Sequence, residues 1–122
     1  MKAWILAAAA LAGCGGALPD ESVACADVFV EGLQVTVVSA STGALICDAA
    51  VTATDGAYHE TLQPSHGPSS APAPGPCDYI GAGERAGTYR VDATNGAATG
   101  AVEVVVTRDQ CHVQTRSVTI RL

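Results

Sequence analysis

The chain has 122 residues, with 6 Lys and Arg against 12 Asp and Glu and a formal charge of −6. That length fits one domain with a modest core, and an acidic surface argues against nucleic acid and anionic lipid headgroups as partners. Aromatic residues make up only 4% of the chain, so a core of small side chains is expected, one that gains from covalent staples.

Lys2 is the only positive side chain before an uncharged apolar run from Ala3 to Leu11. The run has the scale of a secretory hydrophobic region and falls well short of the ~20 residues of a spanning helix. Leu11-Ala12-Gly13-Cys14 closes it. These four residues resemble the lipobox of bacterial lipoproteins: Leu, a small residue, Gly or Ala, then Cys. The resemblance implies a signal peptide over residues 1–13, diacylglycerol on the Cys14 thiol and acylation of the new amino terminus. One acyl chain binds a membrane marginally, whereas two or more anchor stably. Asp after the cysteine favours inner-membrane retention in that family. Gly15 stands there, which points to the outer membrane of a bacterial envelope. The competing reading is an ordinary cleaved signal with a chance cysteine. Removing residues 1–13 leaves 109 of the 122 and no lysine; five arginines against twelve acids give a charge of −7.

Beyond Cys14 the cysteines are Cys25, Cys47, Cys77 and Cys111. An even number in an exported chain reads as two disulfides. Three pairings are open. Cys25–Cys47 and Cys77–Cys111 are expected, the first tying an N-terminal arm to the early strands and the second tying a mid-chain loop to the last strand. A metal site is the alternative, and no CxxC or HxxxH spacing supports it.

Residues 14–22 read as a lipidated terminus and short tether, and residues 23–122 as the folded domain. Residues 23–30 suggest an edge strand. In the next run Leu33, Val35 and Val37 share one face and Gln34 and Thr36 the other, the period of a half-buried strand. Ser41-Thr42-Gly43 supplies turn chemistry. Val51 and Ala53 alternate with Thr52 and Thr54, Asp55-Gly56 signals a hairpin, and residues 57–62 return. Residues 64–76, from Pro64 to Pro76, hold five of the six prolines. Proline cannot donate to a sheet ladder, so this is a loop, read as a tolerated insertion. Residues 77–80 resume a short strand. Tyr89, Val91 and Ala93 then oppose Arg90 and Asp92, Asn95-Gly96 turns, and residues 101–107 form a Val-rich strand with Glu103 facing water. After a turn at Arg108-Asp109-Gln110, residues 111–122 are expected as one long final strand. The spacing predicts an all-β fold: one antiparallel β-sandwich of about seven strands.

The order of these pieces resembles the carboxypeptidase regulatory-like domains of the transthyretin-like group. The residues that carry it are Val35-Thr36-Val37, Thr42-Gly43-Ala44-Leu45, Asp48-Ala49-Ala50-Val51-Thr52-Ala53, Gly87-Thr88-Tyr89-Arg90-Val91 and Asn95-Gly96. The family's frequent Gly-Tyr is Gly96-Ala97 here. The resemblance covers about residues 33–122 and implies a small antiparallel accessory or binding module without peptidase activity or zinc chemistry.

No catalytic set, metal site or cofactor is expected. His59, His66 and His112 are the only histidines, and a metal centre needs three or four convergent ligands. Intradiol dioxygenases, on a related sandwich, hold iron with two Tyr and two His, but their surrounding elements have no counterpart in so short a chain. Hydroxyisourate hydrolases end in Tyr-Arg-Gly-Ser, whereas this chain ends Thr119-Ile120-Arg121-Leu122. There is no Gly-x-Ser-x-Gly, and oxidised cysteines offer no thiolate. Glu84-Arg85 lies in a Gly-rich loop bounded by Gly81 and Gly87, either a recognition loop or a turn with a solvated ion pair. The function expected is a non-catalytic structural or interaction module, lipid-anchored in the bacterial envelope through Cys14. Its partners are the membrane and an envelope protein or small ligand, not nucleic acid. The first alternative binds a small molecule, carbohydrate or peptide through residues 81–87, residues 64–76 or a sheet edge. The second is a metal-dependent enzyme using His59, His66 and His112.

Overall fold

The computed structural model describes residues 24–65 and 77–122. The leader, Cys14, the tether, His66 and residues 66–76 of the proline-rich loop lie outside them. All regular structure described is β, in eight strands: β1 (Leu33–Val38), β2 (Ala50–Asp55), β3 (Tyr58–Thr61), β4 (Gln63–Pro64), β5 (Tyr79–Gly81), β6 (Gly87–Asn95), β7 (Ala98–Val106) and β8 (Arg116–Arg121). They form two four-stranded sheets, β4-β5-β1-β8 and β3-β2-β6-β7.

The period-two faces do what their chemistry dictates. Leu33, Val35 and Val37 of β1, Val51 and Ala53 of β2, Tyr89, Val91 and Ala93 of β6, Val104 and Val106 of β7 and Ile120 of β8 belong to one buried cluster drawn from both sheets. Each such side chain contributes roughly 1.5–3 kcal/mol through burial, and alanines contribute less. Gln34, Thr36, Thr52, Thr54, Arg90 and Glu103 occupy the intervening positions and stay at least partly exposed. The small core is supplemented by two buried tyrosines whose hydroxyls are satisfied. Tyr79 donates to the Ile46 carbonyl at 2.9 Å and accepts from the Ala49 N–H at 3.0 Å. Tyr89 donates to the Arg85 carbonyl four residues upstream at 2.7 Å, the kind of tie that pins the corner before a strand.

Both hairpins turn one residue later than their dipeptides suggest. Asp55 pairs with Tyr58 and Asn95 with Ala98, so the two-residue loops are Gly56-Ala57 and Gly96-Ala97. Gly56 and Gly96 have φ of 62° and 64°, while the alanines are not among the positive-φ residues. Glycine at the first central position is the type II′ requirement, so Asp55 and Asn95 end strands rather than start turns.

Four expectations are corrected. Residues 24–30 form no strand; they run as an arm whose hydrogen bonds go to loop groups. The last strand begins at Arg116, because residues 111–115 leave the ladder after the isolated Arg108↔Val113 bridge. Pro64 lies in a strand, yet β4 is a sheet edge, where its missing N–H can face away from the ladder. Finally, the sheets are not wholly antiparallel. β1 pairs with β8 in parallel over its full length, from Leu33↔Arg116 to Val38↔Arg121.

Candidate functional site

The parallel β1–β8 pair decides where the cysteines meet. Parallel strands are entered from the same end, so the segments before Leu33 and before Arg116 converge. Cys25 lies in the first and Cys111 in the second, and they are bonded, with Cα atoms 5.2 Å apart. Cys47 and Cys77 form the other bridge, Cα atoms 5.0 Å apart. β5 runs antiparallel to β1, with Val35 opposite Tyr79, so the residues before β5 reach the turn that follows β1. The expected Cys25–Cys47 and Cys77–Cys111 pairing is therefore wrong. The arm is tied to the connection before the last strand, not to the early strands, and the mid-chain loop to the turn after β1, not to the last strand.

The Cys25–Cys111 bridge belongs to a loop-bearing end built from the arm, the β2–β3 hairpin, residues 81–87 and the β7–β8 connection. Residues 81–87 are held by hydrogen bonds from several elements. Ala82 and Glu84 adopt φ of 55° and 52° without being glycine, a conformation that persists only when surroundings over-determine it. The Ala82 N–H donates to Glu60 Oε1 at 2.8 Å, and its carbonyl accepts from the Gly32 and Arg85 N–H groups at 3.1 Å each. Glu84 grips the arm twice: its N–H donates to the Val30 carbonyl, and its Oε2 accepts from the Val30 N–H, both at 2.9 Å.

Glu84 and Arg85 do not pair with each other, which corrects the solvated-pair reading. Arg85 Nη1 donates to Asp55 Oδ2 and to Tyr89 Oη, both at 3.0 Å, and its guanidinium carbon lies 3.8 Å from the centre of the Tyr58 ring. The Tyr89 hydroxyl and then Asp55 hold the guanidinium above its ordinary proton affinity. Tyr58 meets Tyr89 edge to face at 6.1 Å and donates to Glu60 Oε1 at 2.6 Å. That hydrogen bond, with partial burial and the nearby Glu60 charge, pushes the Tyr58 phenol up to about 12.

Glu84 Oε2 also lies 2.8 Å from His112 Nδ1, and His112 Nε2 lies 2.9 Å from the Ala26 carbonyl. The carboxylate and then the carbonyl raise the imidazole above its usual 6.5. Burial disfavours the Glu84 anion, but hydrogen bonds from His112, Val30 and Val113 outweigh it and hold the carboxyl below its usual 4.5. Beside them, Asp109 Oδ1 accepts the backbone N–H groups of His112 and Cys111, at 2.9 and 2.8 Å, and sits below the ordinary carboxylate value.

His59 is separate from this group, on the outward face of β3 with its Nδ1 3.2 Å from Thr54 Oγ1. No three His, Cys, Asp or Glu side chains among the described residues form a metal-binding group. A shallow depression of about 290 Å³ on the β6–β7 face is lined by Arg90, Ala101, Val102 and Glu103. Sequence reading missed Asp55, Tyr58 and Tyr89 as partners of Arg85, and Glu60 as the partner of Tyr58 and Ala82. The available signal was the alternation that puts Tyr58 and Glu60 on one face of β3. No family model, curated protein or solved structure matches the chain.

Proposed function

We propose that this chain is an exported, lipid-anchored envelope module whose two sheets form a transthyretin-like sandwich, close in kind to the carboxypeptidase regulatory-like domains. It acts without catalysis, as a structural or interaction domain. One observation carries the export reading: two bonded cysteine pairs in a small all-β body suit an oxidising compartment and not the cytosol. The leader and Leu11-Ala12-Gly13-Cys14 supply the anchor, with the outer membrane as the address. The interaction reading rests on the loop-bearing end, where residues 81–87 are held in one conformation by Glu60, Val30 and Gly32. Preorganised loops on a β scaffold are where binding residues concentrate. The same loop favours a second reading, a site there for a small molecule, carbohydrate or peptide.

Mass spectrometry of the mature N-terminal peptide tests the anchor. An acylated Cys14 at the amino terminus is expected, and an intact Met1 or unmodified thiol overturns it. Crosslinking in envelopes tests the interaction role, comparing the native chain with Glu84→Ala. A partner captured by the first and lost with the second is expected; identical capture removes residues 81–87 from the binding face.

A further inference from the structure

The surroundings of His112 offer an acceptor to each ring nitrogen. Nδ1 faces Glu84 Oε2 at 2.8 Å and Nε2 faces the Ala26 carbonyl at 2.9 Å. Neither an ionised carboxylate nor a backbone carbonyl can donate. Both contacts are hydrogen bonds only when both ring nitrogens carry hydrogen, so this geometry is satisfied in full by the imidazolium. A neutral ring keeps one N–H, and a lone pair on its other nitrogen then opposes an oxygen lone pair.

We propose that His112 is a proton-operated latch that fastens the N-terminal arm at Ala26 to the loop-bearing end when protonated and releases it there when neutral. This does not depend on lipidation. Acceptor strength decides which of the two hydrogen bonds breaks. Charge-assisted hydrogen bonds are roughly twice as strong as neutral ones, so a single remaining proton stays on Nδ1, toward Glu84. Nε2 then repels the Ala26 carbonyl. The stretch between the Cys25–Cys111 bridge and the Val30–Glu84 hydrogen bonds is left unfastened. That stretch carries Val28 and Phe29, the latter 69% exposed although it is the only phenylalanine in the chain. The Phe29 ring lies over Gly83, where an added Cβ would come within 2.0 Å of Cζ. Releasing Ala26 therefore removes one of the ties that keep this apolar pair against the loop that Glu84 braces.

The charges around the ring agree with this direction. Glu84 from the β5–β6 loop and Asp109 from the ring's own connection both favour the cation, while partial burial opposes it. The arm contributes the uncharged Ala26 carbonyl, with Asp27 next to it in the chain. A raised folded value means the contribution is complete below 6.5, the ordinary value, and is lost as pH rises through the folded value. The Glu84 shift has the opposite sense, so its contribution is complete above 4.5 and is lost as pH falls through its lowered value. The latch is closed most firmly between those two ordinary values.

The test is an NMR pH titration of the full chain. His112 ring shifts report protonation. The heteronuclear NOE of residues 26–29 reports the order of the arm. His112 titrating above 6.5, with a fall in the arm NOE along the same curve, supports the latch. Titration at or below 6.5, or an arm NOE unchanged through it, overturns the proposal. Glu84→Gln provides the second arm. An amide can donate to a neutral Nδ1, so the variant's His112 should titrate lower and its arm NOE should lose the wild-type pH dependence. An unchanged titration in that variant also overturns the proposal.

Discussion

Removing the Cys47–Cys77 bridge by Cys47→Ser with Cys77→Ser probes both the cysteine connectivity and the small core. The bond closes a loop with a sequence separation of 30. On the chain-entropy model such a loop contributes about 3.6 kcal/mol. The Cys25–Cys111 bond has a separation of 86 and encloses the first. With the inner bond formed, the outer loop is effectively about 56 residues and contributes about 4.2 kcal/mol. Together these are comparable with the whole stability of a domain this size, about 5–15 kcal/mol, so the core alone holds little in reserve. With the inner bond gone the outer loop grows to 86 residues and contributes about 4.6 kcal/mol, so urea denaturation of the double variant is expected to show a net loss of about 3.3 kcal/mol, and a Tm lower by roughly 13–26 °C. Alkylation before digestion is the sharper readout. The nested pairing leaves Cys25 and Cys111 bonded in the variant, so neither reacts. The alternative pairing leaves both without partners, so both react. Two alkylated cysteines, or a stability loss below about 1 kcal/mol, would refute the reasoning.

Tyr89→Phe removes the donor to the Arg85 carbonyl and one acceptor of the guanidinium; a loss of about 1–2 kcal/mol in chemical denaturation is expected, and no measurable loss argues against the pinned corner. Gly32→Ala places a Cβ 2.6 Å from the Ala82 carbonyl oxygen, a backbone atom that cannot swing aside, and 3.2 Å from Val106 Cγ1. It should cost about 1–3 kcal/mol, whereas Gly96→Ala, with nothing within 4 Å and only a φ of +64° to strain it, should cost nearer 1 kcal/mol. Ultraviolet titration should find one tyrosine near 12, returning toward 10.0 in Glu60→Gln; no such return removes Glu60 as the main cause.

The buried faces of β1, β2 and β6 were legible because each is a regular alternation: Leu33, Val35 and Val37, then Val51 and Ala53, then Tyr89, Val91 and Ala93. Alternation identifies a face, but not the neighbouring strand or its direction. The parallel pairing of β1 with β8 was invisible for that reason, and the cysteine pairing with it. The hairpins were located to within a residue; the error arose because Asp55 and Asn95 are equally plausible at a strand end and in a turn. Glu84 and Arg85 drew notice as a charged pair among glycines, but their partners, His112, Asp55 and Tyr89, lie 28, 30 and 4 residues away. Arg85 finds Tyr89 through local chain geometry, whereas the other two depend on how distant strands are arranged. His112 was noticed as a possible ligand and acts as a hydrogen-bonding bridge.

The adjacency of the first and last strands also governs how the molecule can be assembled. One whole side of β1's ladder is supplied by residues 116–121, so an emerging chain cannot finish that sheet until those residues have been made. The Leu122 N–H donates to the Val38 carbonyl, and its own carbonyl accepts from Ala40, so Leu122 shares in the closure. Long-range pairing of this kind is slow to form. Deletion of residues 116–122 should accordingly be felt some eighty residues earlier, as an unprotected β1, before it disturbs the contiguous β6–β7 hairpin.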